Sequence, residues 1–329
     1  MYNQPRKKSR SFGKVVKIAV VGTGIIGIEH LKAIGEIDEL ELVAVCDVNE
    51  DRVKTIAAEY GVPYFLDYKD IPEKTNAEAV ILNLPHGLHC SSTIFFLEAG
   101  LHVLIEKPMA NTTAECDKML AAAKASGKTL AVGHIQRFFG ANKLAKDYIN
   151  SGRIGKLCMI HELRSTNYFK PDRPAWFFNK DMSGGGIVMN YGAHALDKFR
   201  YVTGKNILTV DADCGNIKNS ESIEGHAQFF VKMEDGITAT VTFSGYSPVG
   251  YETIYIGTEG AVKVVDGNKI AIRNGATWDE VPEVNDGRHM IRQLEAFAKL
   301  IRGEDSEMPD GEYGRAIIRD IEEIYLKGL

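Results

Sequence analysis

A chain of 329 residues, 44% hydrophobic and 25% charged, shows ordinary globular usage at a length suited to about two domains, which excludes a mainly disordered, collagen-like or membrane-spanning protein. Its 39 Lys+Arg against 44 Asp+Glu give a formal charge of -5 and a pI near 6.0, so no nucleic-acid partner is expected. No apolar run approaches the ~18 residues of a membrane span and no signal-peptide core follows the N-terminus, so the expectation is no membrane partner and a cytoplasmic location.

Residues 1–14 hold Arg6, Lys7, Lys8, Arg10 and Lys14 without an acid, and read as a solvated basic arm. From 15 to 134 one unit repeats: a short apolar run, a turn, then a helix-period stretch. The runs are Val16 to Val21, Leu42 to Cys46, Ala79 to Leu84, His102 to Ile105 and Leu130 to Val132. Amphipathic stretches such as Asp51 to Tyr60, Ser91 to Ala99 and Thr112 to Ala125 lie between them. That alternation predicts an α/β domain with a Rossmann-type, doubly wound parallel sheet.

Gly22-Thr23-Gly24-Ile25-Ile26-Gly27 follows the first run and opens a helical stretch, the context in which GxGxxG marks a dinucleotide site. Gly22 makes the tight turn, Gly24 admits a pyrophosphate, and Gly27 permits close helix–strand packing. Asp47 ends the second run, with Val48 and Arg52 after it. Its carboxylate suits ribose hydroxyls and repels a 2′-phosphate, which favours NAD over NADP; Arg52 is the one feature that would suit NADP. Glu106-Lys107-Pro108 closes the fourth buried run, placing Lys107 at the carboxyl edge where open α/β sheets bind ligands. Pro108 restricts the backbone of Lys107 and is a candidate for a cis peptide.

From 135 to 329 the pattern is α+β. After a helix candidate at Ala141 to Asn150 come strands at Leu157 to Ser165, Gly225 to Val231, Ile237 to Phe243, Thr253 to Gly257 and Ala261 to Val265. Glycine-bearing turns join the later ones as hairpins. Helices at Met290 to Ile301 and Arg315 to Leu326 close the chain. Trp176 either stacks on a substrate ring or simply packs. Gly184-Gly185-Gly186 precedes a helix at Ile187 to Val202, which puts Asn190 and His194 on one face and Asp197 in reach to orient the His194 ring. His86, His89 and Cys90 lack a second ligand pair, and the five cysteines are scattered without a CxxC, so no metal is expected.

Taken in order, the glycine loop, Asn83-Leu84-Pro85-His86-x-x-His89, Glu106-Lys107-Pro108, Gly133-x-x-Gln136-Arg137-Phe138, the glycine triplet and Asn190-x-Gly192-x-His194-x-x-Asp197 resemble the glucose-fructose oxidoreductase / inositol dehydrogenase (Gfo/Idh/MocA) family. The resemblance implies an NAD-binding domain at 15–134 and a substrate and oligomerisation domain at 135–329. The second would carry an open-faced, mainly antiparallel sheet and support a homo-dimer or tetramer. It implies that Leu84, Pro85, His86, His89, Glu106 and Lys107 line the cofactor, and that Lys107, with Arg137, Trp176, Asn190 and His194, also meets a carbohydrate or cyclitol. Lys107 and His194 would be catalytic with Asn190, which stands where many relatives carry aspartate. The expected activity is NAD-dependent oxidation of a secondary hydroxyl; a redox-neutral glycosidase or epimerase and a non-catalytic NAD-binding regulator are the alternatives.

Overall fold

Val16–Val21 (β1) is buried at five of its six positions, as a strand covered on both faces requires. In this computed structural model, which describes residues 14–217, 222–282 and 286–329, β1 leads through the glycine loop into Ile25–Ile34 (α1). The basic arm, Lys14 excepted, lies outside the described residues. Then follow Leu40–Cys46 (β2), Glu50–Tyr60 (α2), the short Tyr64–Phe65 (β3), Ile71–Lys74 (α3), Ala79–Leu82 (β4), His89–Glu98 (α4), His102–Glu106 (β5), Thr113–Ser126 (α5) and Leu130–Gly133 (β6). Local chemistry sets the helix ends. Asn49 accepts the Arg52 N–H before α2, Thr112 and Glu115 form a capping box on α5, and Gly61 and Gly127 end the two helices left-handed.

The first sheet has the order β3-β2-β1-β4-β5-β6, and every pairing in it is parallel. Its winding reverses between β1 and β4. The glycine loop, Asp47, Asn83 to Pro85 and Glu106-Lys107 therefore share one carboxyl edge, at the switch point where such sheets hold ligands.

Beyond Gly140–Asn150 (α6) a second, eight-stranded sheet is built from Leu157–Ser165 (β7), Ile207–Gly215 (β8), His226–Met233 (β9), Thr238–Ser244 (β10), Gly250–Gly257 (β11), Ala261–Val265 (β12), Lys269–Arg273 (β13) and Asp279–Val281 (β14). Between β7 and β8 run Lys180–Ser183 (α7), a π-helical turn at Val188–Gly192 and Ala193–Thr203 (α8); His289–Ile301 (α9) and Gly311–Gly328 (α10) end the chain. The order is β14-β13-β12-β11-β7-β10-β9-β8, antiparallel except for β7 beside β10. One face packs under helices while the other is open, leaving Met159, Leu208 and Phe230 exposed. Among the described residues no helix is long and apolar enough to cross a membrane.

Two departures from the periodicity have physical causes. β8, β13 and β14 go beyond the expected strands: β8 turns only the small Ala212 and Cys214 inward after Val210, and β13 and β14 are five and three residues long, too short to show a period. The expected helix at 187–202 is broken by the π turn, which shifts the side-chain register of everything after it.

Candidate active site

Gly22 stands at φ +85, and a Cβ there would lie 2.2 Å from the Asn83 carbonyl oxygen, so the turn from β1 closes against the end of β4 only around glycine. Nothing lies within 4 Å of the place a Gly24 Cβ would take, and Ile25 beside it is 82% exposed. Open space against the first N–H groups of α1 fits a pyrophosphate. Val48, 90% exposed beyond β2, offers apolar surface at the adenosine end.

Asp47 is more committed than its position suggests. One oxygen accepts the Thr23 N–H (2.7 Å) and hydroxyl (2.9 Å); the other accepts the Asn49 N–H (2.9 Å) and an Arg52 guanidinium N–H (2.7 Å). All four acceptor positions of the carboxylate are thus filled. Burial works against its charge, but the Asn49, Arg52 and Thr23 donors outweigh burial and hold it below the ordinary aspartate range. Asp47 therefore braces the glycine loop. It reaches a ribose only where Arg52, which is far more exposed, gives up its place.

Below the loop a cavity of about 320 Å³ is lined by Gly24, Ile26, Leu84, Lys107, Trp176 and Asn190, among others. The Lys107 ammonium donates to Asn190 Oδ1 at 2.7 Å, and the Lys107–Pro108 peptide is cis. Burial pushes the Lys107 pKa down to about 8, the nearby Arg164 and Arg173 push the same way, and Glu106 opposes them. Glu106 also lines the cavity, with Oε1 3.0 Å from His30 Nε2 and Oε2 accepting the Lys107 N–H. Asn190 is held by the π turn, a device that often marks functional backbone. The His194 ring, at the start of α8, makes no hydrogen bond among the described residues. Its Nδ1 is buried without a partner, and burial together with the charges on Lys107 and Arg164 holds its pKa well below the usual histidine value.

The remaining expected site residues divide. Pro85 and His86 line the cavity; His86 Nδ1 lies 2.8 Å from the Ser183 carbonyl oxygen, and its ring meets Trp176 edge-on at 4.9 Å. Trp176 also stacks on Phe177 at 3.8 Å. It is therefore packed on one side and open to the cavity on another. His89 does not face the cofactor space. It is fully buried with Nδ1 and Nε2 each 2.8 Å from a carbonyl oxygen, those of Pro108 and Leu84, so it ties the two cavity loops together from beneath.

Arg137 and Asp197 are corrected together. Asp197 Oδ1 accepts from Arg137 Nη2 (2.6 Å) and from the Tyr313 hydroxyl (2.9 Å), and does not orient His194. Arg137 is buried by that pair and lies over the Tyr313 ring at 4.5 Å, away from the Lys107 cavity. The i,i+3 spacing itself is regular, since both residues lie in α8 beyond the π turn; Asp197 is turned aside because Arg137 and Tyr313, from a turn after β6 and from α10, take its carboxylate.

Glu224 escaped the sequence reading, having no motif around it. Its carboxylate accepts the N–H groups of Gly186 (2.9 Å) and Val188 (2.8 Å) and the Tyr325 hydroxyl (2.8 Å), pinning the glycine triplet and the π turn that carries Asn190. A Cβ on Gly186 would stand 2.1 Å from the Glu224 carbonyl oxygen, which is why the triplet lies so close. Glu224→Gln cannot satisfy all three donors and is expected to lower stability by about 1–3 kcal/mol. Turnover should fall with NADH affinity intact. Denaturant midpoints and NADH titration check this, and unchanged values of both stability and turnover would remove Glu224 from the support.

Residues 16–134 match the family model described as oxidoreductase family, NAD-binding Rossmann fold, and residues 142–263 match that of the GFO/IDH/MocA C-terminal domain. The chain is 32% identical over 233 residues to 1-carboxy-3-chloro-3,4-dihydroxycyclohexa-1,5-diene dehydrogenase of Comamonas testosteroni, a match spanning 70% of this chain and 58% of the relative. It is 25% identical to the D-glucoside 3-dehydrogenase of Escherichia coli over 97% of both chains. In fold it is similar to the aldose-aldose oxidoreductase of Caulobacter crescentus, with a TM-score of 0.87 and 23% identity over 95% of this chain and 97% of that one.

Proposed function

The chain is an NAD-binding oxidoreductase of the GFO/IDH/MocA family, and from that membership we propose that it oxidises a secondary hydroxyl of a sugar, cyclitol or sugar derivative. The observation that carries this reading is the Lys107–Asn190 contact of 2.7 Å in the cavity that the glycine loop also lines. The nicotinamide, when bound, supplies the acceptor for the hydrogen on the substrate carbon. Lys107 donates to the substrate oxygen and stabilises the negative charge that grows there. Asn190 Oδ1 holds the ammonium in place and, being an amide, takes no proton itself. His194 is neutral at pH 7. With its own proton on Nδ1, its Nε2 accepts the hydroxyl proton.

In this reading residues 15–134 bind the cofactor and 135–329 bind substrate, while the open sheet face with Met159, Leu208 and Phe230 joins copies of the chain. A cytosolic setting suits the five free cysteines. Incubation with NAD and a panel of cyclitols, free sugars, nucleotide sugars and glycosides, followed by nicotinamide absorbance and product mass, tests the chemistry. Net NADH with a product two hydrogens lighter is expected; glycoside consumed without NADH would replace oxidation by redox-neutral chemistry.

Cofactor choice follows from the second strand. With the Asp47 carboxylate beside the ribose position, NADH should bind roughly tenfold or more tightly than NADPH. Asp47→Ala should weaken NADH binding, because the glycine loop loses its brace as well. Tighter binding of NADPH by the unaltered protein would mean that Arg52, released from Asp47, holds the 2′-phosphate.

A further inference from the structure

Among the described residues, two arginines beside Lys107 have no acid to answer them. Arg164, near the end of β7, lies over the Tyr191 ring at 3.8 Å and the Tyr251 ring at 4.8 Å. Arg173, in the loop before Trp176, lies over Tyr168 at 3.9 Å and Phe177 at 4.6 Å. Tyr168 and Tyr191 meet edge to face at 5.7 Å, so the two guanidinium groups ride on adjoining rings next to Asn190. Arg164 Nη1 and Arg173 Nε are shut off from solvent and have no hydrogen-bond acceptor among the described residues.

Elsewhere this protein pairs its buried arginines. Arg137 lies 2.6 Å from Asp197, and Arg200 lies 2.6 Å from Asp320. Around Lys107 the balance is different. Glu106 is the acid that acts on its ammonium, and one Glu106 oxygen is turned to His30; Glu162, on the same strand as Arg164, is spent on Lys198 at 2.7 Å. Asp172, next to Arg173, is paired with Lys170. Partly buried cations held flat on aromatic rings with free N–H donors are poorly compensated until an anion arrives, and a guanidinium meets a carboxylate or phosphate with two parallel hydrogen bonds.

We propose that Arg164 and Arg173 form an anion subsite beside Lys107 and Asn190, so that the hydroxyl compound oxidised carries a negatively charged group, a carboxylate or a phosphate. This rests on the oxidation reading above and narrows its substrate class to acidic sugars or polyols. Both arginines help to hold the Lys107 pKa down, and Arg164 does the same at His194. An anion bound between them and Lys107 relieves that repulsion and favours the ammonium form at the moment of catalysis.

The test is ligand binding to the protein–NADH complex, read by NADH fluorescence, with D-glucose, D-glucuronate and D-glucose 6-phosphate as probes. At least one anionic probe should bind about tenfold or more tightly than D-glucose. Whether the carboxylate or the phosphate binds better identifies the anion. Arg164→Met should abolish the preference and Arg173→Met should reduce it. If one variant fails to fold, the other carries the comparison. Equal or undetectable binding of all three probes, or a preference that survives both substitutions, overturns the subsite. Saturation with NADH is recorded in the same titrations, so a protein that binds NADH without charge preference loses only the subsite. One that shows the preference but oxidises no polyol loses the oxidation reading instead.

Discussion

Replacing Lys107 by methionine is expected to lower turnover by about two to three orders of magnitude while leaving NADH affinity unchanged. The rate estimate is that of removing one donor aimed at a developing oxyanion in a partly desolvated site. The cofactor affinity stays because the glycine loop rests on Asp47 and Asn83, which the substitution does not touch. A second consequence has the opposite sign. With its pKa lowered from 10.5 to about 8, Lys107 binds its proton less readily in the folded chain than in the unfolded one. Folding then works against the charge fully below about pH 8, and the penalty fades as pH rises towards the unfolded value. After discounting for solvent screening, the methionine variant should be more stable at pH 7, on the order of 1 kcal/mol. That advantage should shrink at pH 9.5. Denaturant midpoints at the two pH values check the sign, and near-normal turnover would take the lysine out of the mechanism.

Loss of the imidazole in His194→Ala should reduce turnover by about 10²–10⁴, the usual contribution of a positioned base. The pH profile separates its role from that of Lys107. Burial keeps the His194 pKa well below 6.5, so no rising limb is expected between pH 6 and 8. A falling limb is expected near pH 8, where Lys107 loses the proton with which it stabilises the oxyanion. Asn190 contributes to the position of that limb, since a neutral amide gives the ammonium an acceptor without the charge that would hold its pKa high. In His194→Ala the limb should remain at the same pH with a lower plateau. Activity that instead rises through pH 8 would make the neutral Lys107 amine the base and His194 a bystander.

What the sequence carried legibly was local. The run Val16 to Val21, the loop that follows it and Lys107 at the end of β5 all depend on residues adjacent in the chain, and each stands where its motif places it. Contacts between distant segments were not legible. Asp197 is three residues from His194 in the chain, yet its partners are Arg137 and Tyr313, supplied by a turn after β6 and by α10. Glu224 reaches the Asn190 turn from the segment just before β9, and nothing in its own neighbourhood signals it. Arg164 lies inside the strand Leu157 to Ser165 with no motif around it, and only the fold brings it over Tyr191. β8 escaped because its inward residues after Val210 are the small Ala212 and Cys214, a weak apolar signal, and β7 beside β10 is a parallel pair that hairpin signals could not predict.

The last helix bears on how the cleft is set. The residue before α10, Asp310, bridges to Ala131 in β6, and Glu322 accepts from the Thr113 N–H and hydroxyl on α5. The same helix reaches the other half through the Tyr313 hydroxyl on Asp197 and the Tyr325 hydroxyl on Glu224, and that hydroxyl also accepts the Met189 N–H. A swivel of one sheet against the other would have to break these ties together, although the chain crosses between the halves near residue 135 without an interrupting linker. α10 is in this sense a clasp. The gap between Lys107 on one half and Asn190 on the other is fixed by the fold before a ligand enters, so their alignment is established during folding and need not be found again at each turnover.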